Sequence, residues 1–148
     1  NGTEAIQLAL EALGLAAGDE VITSPLTAAF TALAVLRAGA RPVFADVDPV
    51  SLNVTPETVA ARITPRTRAI IATHLFGNPC DVVGIRRIAD ARGIPVIEDC
   101  AQAFLAAQDG RLVGTIGAIG AFSLQQGDAC TPRGGGADLV AQRCQTVR

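Results

Sequence analysis

The chain has 148 residues, 49% of them hydrophobic, and a formal net charge of −2. That length buries one core and argues against two full domains. With no basic stripe to neutralise phosphates and no apolar run of membrane-spanning length, nucleic-acid and membrane partners are excluded. No secretory leader is legible, so the expectation is a cytoplasmic protein. Met and Lys are both missing, and all 12 cationic side chains are Arg. Without an initiator Met, the chain is expected to be processed or a fragment. Without Lys, it has no side-chain amine for a Schiff base. Cys80, Cys100, Cys130 and Cys144 have no metal-ligand spacing and read as buried or incidental thiols. No metal site is expected.

The spacing predicts a helix from Asn1 to Leu13, with Ile6, Leu10 and Leu13 at i, i+4 and i+7 and Gly14 as stop signal. Asn1-Gly2-Thr3 in its first turn suits either an anion site or ordinary N-capping. Val21-Ile22-Thr23 reads as a strand. Ser24-Pro25 opens a helix over about Leu26 to Ala38, with Leu26, Phe30 and Leu33 on one face. Pro42 to Ala45 is the next strand; Asp46 and Asp48 after it suit strand-end turns better than a metal. Thr55-Pro56-Glu57 starts a helix, with Thr as cap and Pro in the first turn.

Arg68 to Thr73 is a buried strand ending at His74, the one histidine, which either touches a ligand or orders its loop. Asp81 caps a helix facing Val82, Ile85 and Ala89 inward, closed by Gly93. The apolar run Ile94-Pro95-Val96-Ile97 then ends in Glu98-Asp99. Ligands of open α/β sheets gather beyond strand carboxyl ends, which makes Asp99 the first candidate ligand-holding residue. Helix capping by both acids is the plainer alternative. Asp109-Gly110 marks a hairpin turn, and Ala121 to Leu124 reads as a strand. Strand and helix alternate four times over short connections. That predicts an α/β fold, with a mostly parallel sheet and helices on both faces. From Asp128 neither period holds; a weak helix from Ala137 and low order are expected there. Gly134-Gly135-Gly136 does not join a strand to a helix, so it is no dinucleotide fingerprint.

Seven stretches in order carry a resemblance. They are Asn1-Gly2-Thr3-Glu4-Ala5, Ser24-Pro25-Leu26-Thr27, Pro42 to Asp48, Ile63-Thr64-Pro65-Arg66-Thr67, His74-Leu75-Phe76-Gly77, Ile97 to Gln102, and Phe122 to Gly127. Together they resemble the DegT/DnrJ/EryC1/StrS family of pyridoxal-phosphate-dependent sugar aminotransferases. The resemblance implies residues 1–127 as part of a fold type I aminotransferase large domain, followed by an aberrant tail at 128–148. It implies amino transfer from glutamate or glutamine to a ketosugar, nucleotide sugar or aminocyclitol precursor, by homodimers in intact relatives. Gly2, Thr3 and Ser123 would hold the phosphate of pyridoxal 5'-phosphate. Asp99 would pair with the ring nitrogen, and Gln102 would lie near the phenolic oxygen.

The departures are specific. Asp128 occupies the expected lysine position, so no catalytic residue is assigned, and cofactor binding would be non-covalent at most. Ala28 stands where the family carries a ring-stacking aromatic, and Phe104 where histidine is common. The chain as written is therefore expected to be inactive. The alternative is a non-catalytic remnant or cofactor-binding module from a truncated or frameshifted gene. A one-nucleotide shift after Gly127 can yield a Gly-Glu-Gly segment like the family's.

Overall fold

The computed structural model describes residues 1–123 and 140–143. Its centre is a six-stranded sheet with the order β2-β1-β3-β4-β7-β8. The strands are β1 (Glu20–Thr23), β2 (Arg41–Phe44), β3 (Thr67–Thr73), β4 (Val96–Asp99), β7 (Ile119–Phe122) and β8 (Val140–Arg143). Among the described residues of this sheet, only the β7–β8 pairing is antiparallel. A small hairpin, β5 (Ala107–Gln108) and β6 (Arg111–Leu112), lies outside the sheet. Asp109 and Gly110 form its turn with φ of 50° and 77°, the double positive φ that tight hairpins need.

Helices cover both faces, as the alternation predicts. Helices α1 (Gly2–Ala12) and α2 (Ala29–Arg37) pack Ala5, Ile6, Leu10, Ala34 and Val35 against Val21, Ile71 and Ile97. On the other face, α3 (Pro56–Ala60) and α4 (Val82–Asp90) pack Val59, Val82, Ile85 and Ala89 against Ile22, Ile70 and Val96. Alternate residues of β3 and β4 thus serve opposite cores, as strand geometry requires. Each such fully buried Ile contributes about 1.5–3 kcal/mol. Strand β2 lies at the sheet edge, where Pro42 leaves no needed donor unpaired.

Local signals predicted by the sequence recur as geometry. Thr55 and Thr58 form a reciprocal capping box with Pro56 in the first turn. Asp81 accepts from Gly84 N at 2.9 Å. Asp48 Oδ1 accepts from Val50 N and Ser51 N, which is turn chemistry. Those amide hydrogen bonds, Ser51's foremost, hold the Asp48 carboxyl below its usual range.

Two expectations need correction. Helix α2 begins at Ala29, not Leu26, because Ser24 Oγ and Leu26 N close a local turn first. Its buried face is Thr31, Ala34 and Val35, whereas Leu26, Phe30 and Leu33 are exposed. Small residues let the helix approach the sheet, and the larger ones turn outward. The second concerns the tail: Val140–Arg143 is a strand paired with β7, where the sequence predicted a weak helix. The proposed domain break after Gly127 falls outside the described residues.

Phe30 and Leu36, each 58% exposed, with Leu33 beside them, leave an apolar stripe on α2. The chain is therefore expected to self-associate with rising concentration in sedimentation velocity. Leu33→Glu with Leu36→Glu should restore a slower, concentration-independent species; unchanged sedimentation would contradict this role for the stripe.

Candidate functional site

The carboxyl ends of β4 and β7 meet the amino end of α1. Asn1 caps this helix, its Oδ1 accepting from Glu4 N at 3.1 Å. Both sequence readings of this turn remain compatible with that cap, since the amides of Gly2 and Thr3 have no acceptor within the helix. Gly2 is needed for the approach: a Cβ there would stand 3.0 Å from Ser123 Cβ and 3.9 Å from Ala101 Cβ. Ser123, just past β7, is buried.

Asp99 ends β4 on the face that carries Ile97, towards α1 and α2. It is 5% exposed. Thr31 Oγ1 of α2 donates to its Oδ2 at 2.9 Å, and Ala101 N donates to its Oδ1 at 3.3 Å. Sequence reading missed Thr31. Its one signal is a polar residue in the Thr31-Ala34-Val35 spacing of a packed helix face. Gln102 is half-buried in the following turn, where its Oε1 accepts from Phe76 N at 3.1 Å. Phe76 makes that bond from a left-handed conformation, φ 52°.

Glu98 points to the opposite face and is fully buried. Its Oε1 accepts from Ile116 N at 2.7 Å and from Gly117 N, and its Oε2 accepts from Gly114 N at 2.8 Å. His74 Nε2 lies 3.1 Å from Oε2, while Cys80 N donates to His74 Nδ1 at 2.9 Å. That second bond fixes Nε2 as the protonated nitrogen, so His74 orders its loop. Burial by itself would raise the Glu98 carboxyl. Hydrogen bonds from His74, Gly117 and Gly114 outweigh it and hold the carboxyl below its ordinary value.

His74, Glu98 and Cys100 bring ligand-type atoms within 4.8 Å of one another. The Glu98 oxygens and His74 Nδ1 are committed to backbone amides, and burial pushes the Cys100 thiol up. The cluster reads as a structural clamp. Cys80 is likewise pushed up, to about 12, by burial. Cys130, Cys144 and Asp128 lie outside the described residues.

The groups on the Asp99 side fit a phosphorylated pyridine cofactor. A helix amino end closed against a serine by a glycine suits a phosphate, and a buried carboxylate suits a protonated ring nitrogen. Thr73, in register with Asp99, and Thr23 on the same sheet face have buried hydroxyls with no partner among the described residues. Polar capacity therefore remains at this end of the sheet. Phe104, at the position where the family often has histidine, stacks edge-on to Phe122 at 6.2 Å.

The model of the DegT/DnrJ/EryC1/StrS aminotransferase family matches residues 1–142, past the last recognisable motif at Gly127. The chain is 47% identical to an L-glutamine:2-deoxy-scyllo-inosose aminotransferase of Streptomyces kanamyceticus, over 95% of this chain and 33% of that protein. It is 44% identical to a dTDP-3-amino-3,4,6-trideoxy-alpha-D-glucose transaminase of Micromonospora megalomicea subsp. nigra, over 100% and 40%. The fold matches an aminotransferase from Psychrobacter cryohalolentis with a TM-score of 0.93 and 46% identity, covering 98% of this chain and 36% of that one. The Bacillus subtilis protein ntda, solved with bound cofactor PMP, matches at a TM-score of 0.87 and 32% identity, over 98% and 32%. The chain thus spans about a third to two-fifths of the length of the curated relatives.

The Glu98 clamp gives a pH dependence with a definite sign. A carboxyl with a lowered folded pKa stabilises the fold above its unfolded pKa, and this is lost as pH falls through the folded value. Urea midpoints are expected to drop as pH falls below 4.5. Glu98→Gln, which replaces an acceptor by a donor facing amide N–H groups, should cost roughly 3 kcal/mol at pH 7 and flatten that acid dependence. Equal midpoints at pH 7 would contradict the clamp.

Proposed function

This chain belongs to the DegT/DnrJ/EryC1/StrS aminotransferase family, and we propose from that premise that it holds pyridoxal 5'-phosphate non-covalently. The observation that carries the proposal is the meeting of the α1 amino end, Ser123 and Asp99 at one end of the sheet. The amides of Gly2 and Thr3 and the Ser123 hydroxyl donate to the phosphate. The Asp99 carboxylate pairs with the ring nitrogen and keeps it protonated. Gln102, its Oε1 held by the Phe76 amide, offers its NH2 end as donor to the phenolic oxygen. When bound, the cofactor supplies a protonated ring that withdraws electrons from the amine-bearing carbon of a substrate.

The names of the relatives support a reaction class for the whole protein, transamination in the making of an amino sugar or aminocyclitol, and one of them names glutamine as donor. A ketosugar or aminocyclitol precursor as acceptor and glutamate as alternative donor are part of the proposal. The rest of the substrate site is proposed to come from residues outside this chain and from a second subunit. Within this chain, no lysine side chain exists to bind the cofactor covalently or to carry the substrate proton. Asp128, at the lysine position by motif order, supplies no amine. We therefore assign the chain cofactor holding without turnover. The second reading, a remnant that binds nothing, rests on that same absence.

Titrating the full chain with pyridoxal 5'-phosphate discriminates these readings. Saturable, dialysable binding is expected, and borohydride should leave no side-chain adduct. Asp99→Ala should weaken binding by roughly tenfold or more, the scale of one charge-assisted hydrogen bond. A borohydride-fixed side-chain adduct would contradict non-covalent holding, and no saturable binding would leave the remnant reading.

A further inference from the structure

A threonine inside a helix has a ready acceptor for its hydroxyl in the carbonyl one turn back. Thr31 does not use it: its Oγ1 donates to Asp99 Oδ2, 68 residues further along the chain. Both residues are buried, at 3% and 5% exposure. The Thr31 N–H already bonds Ala28 O, so the hydroxyl is not needed to close the start of α2. Ala34 and Val35, on the same buried face, pack against the sheet and hold Thr31 over the end of β4. Ala101 N approaches Asp99 Oδ1 from the turn beyond β4. Donors from separate elements thus reach both carboxylate oxygens and orient the carboxylate plane.

We propose that Thr31 is a positioning residue for Asp99, an inference that rests on the cofactor reading above. Its hydroxyl orients the carboxylate and stabilises the ionised form, because a donor hydrogen bond favours the charged carboxyl. An ionised, fixed Asp99 is the form that a protonated ring nitrogen requires. A hydrocarbon at position 31 keeps the shape of the packed face and removes only the donor. A serine keeps the donor and removes only a methyl group.

The test uses the full chain as unsubstituted protein, Thr31→Val and Thr31→Ser. The probes are pyridoxal 5'-phosphate and its analogue with the ring nitrogen replaced by C–H. Thr31→Val is expected to weaken the first probe by about tenfold and to leave the analogue unchanged, and Thr31→Ser should bind both within about twofold of the unsubstituted chain. Equal weakening of both probes by Thr31→Val would reduce Thr31 to a packing role and overturn the proposal, as would failure of Thr31→Ser to restore affinity.

A second measurement needs no cofactor. In the ligand-free chain labelled with 13C at aspartate carboxyls, and assigned through Asp99→Asn, the Asp99 resonance should move in Thr31→Val and stay in Thr31→Ser. If Thr31→Val does not fold, Thr31→Ala serves as the donor-free variant. An unmoved resonance in the donor-free variant overturns the role of Thr31 and leaves the cofactor reading standing. Absence of saturable binding by the unsubstituted chain overturns the cofactor reading and the cofactor-directed role of Thr31 together.

Discussion

The two-residue period of β4 governs the carboxyl end of this sheet. Successive side chains of a strand point to opposite faces, so Glu98 and Asp99 cannot share one task. Glu98 goes to the α3–α4 side, where it gathers the amides of Gly114, Ile116 and Gly117 and the His74 ring. Asp99 goes to the α1–α2 side, beneath Thr31 and beside the turn at Ala101. One acid fixes the loop that leads into β7; the other faces the end of α1. A register slip of one residue would exchange their faces and move Glu98 away from its amide donors.

The clamp therefore supports the site indirectly. Loop 114–117 delivers the chain into β7, and β7 ends at Ser123 against Gly2. Gly120, in β7, has no room for a Cβ because the Gly114 backbone lies against it. The position of Ser123 against Gly2 is thus tied to the Glu98 hydrogen bonds. Asp99 is tied to α2 through Thr31. In the cofactor reading, the phosphate and the ring nitrogen meet groups on neighbouring elements, since β4 pairs with β7 and α1 shares one core with α2.

Much of the fold was legible because it rests on local chemistry. Thr55-Pro56, Asp81 and Asp109-Gly110 each act through their own neighbours, and the apolar runs of β3 and β4 are long enough to mark buried strands. The α2 face was misread because leucine and phenylalanine were given precedence over Thr31 and Ala34. Which helix face meets a sheet depends on how closely the backbones approach, and small residues win there. Strand β8 was misread because its structure comes from pairing with β7, which the local period does not encode. Within the site, Gly2, Ser123 and Asp99 were legible through motifs and strand-end position. The Thr31 contact was not, because it joins distant parts of the chain and its partner is known only once α2 is docked.

The central claim is that Asp99 holds a protonated ring nitrogen at the end of β4. The most direct measurement is the 15N resonance of pyridoxal 5'-phosphate labelled at the ring nitrogen, bound to the full chain. The expected result is a pyridinium resonance that persists to higher pH than in the free compound and reverts in Asp99→Asn. A bound ring nitrogen that titrates as the free compound does, or that is identical in Asp99→Asn, would contradict the account.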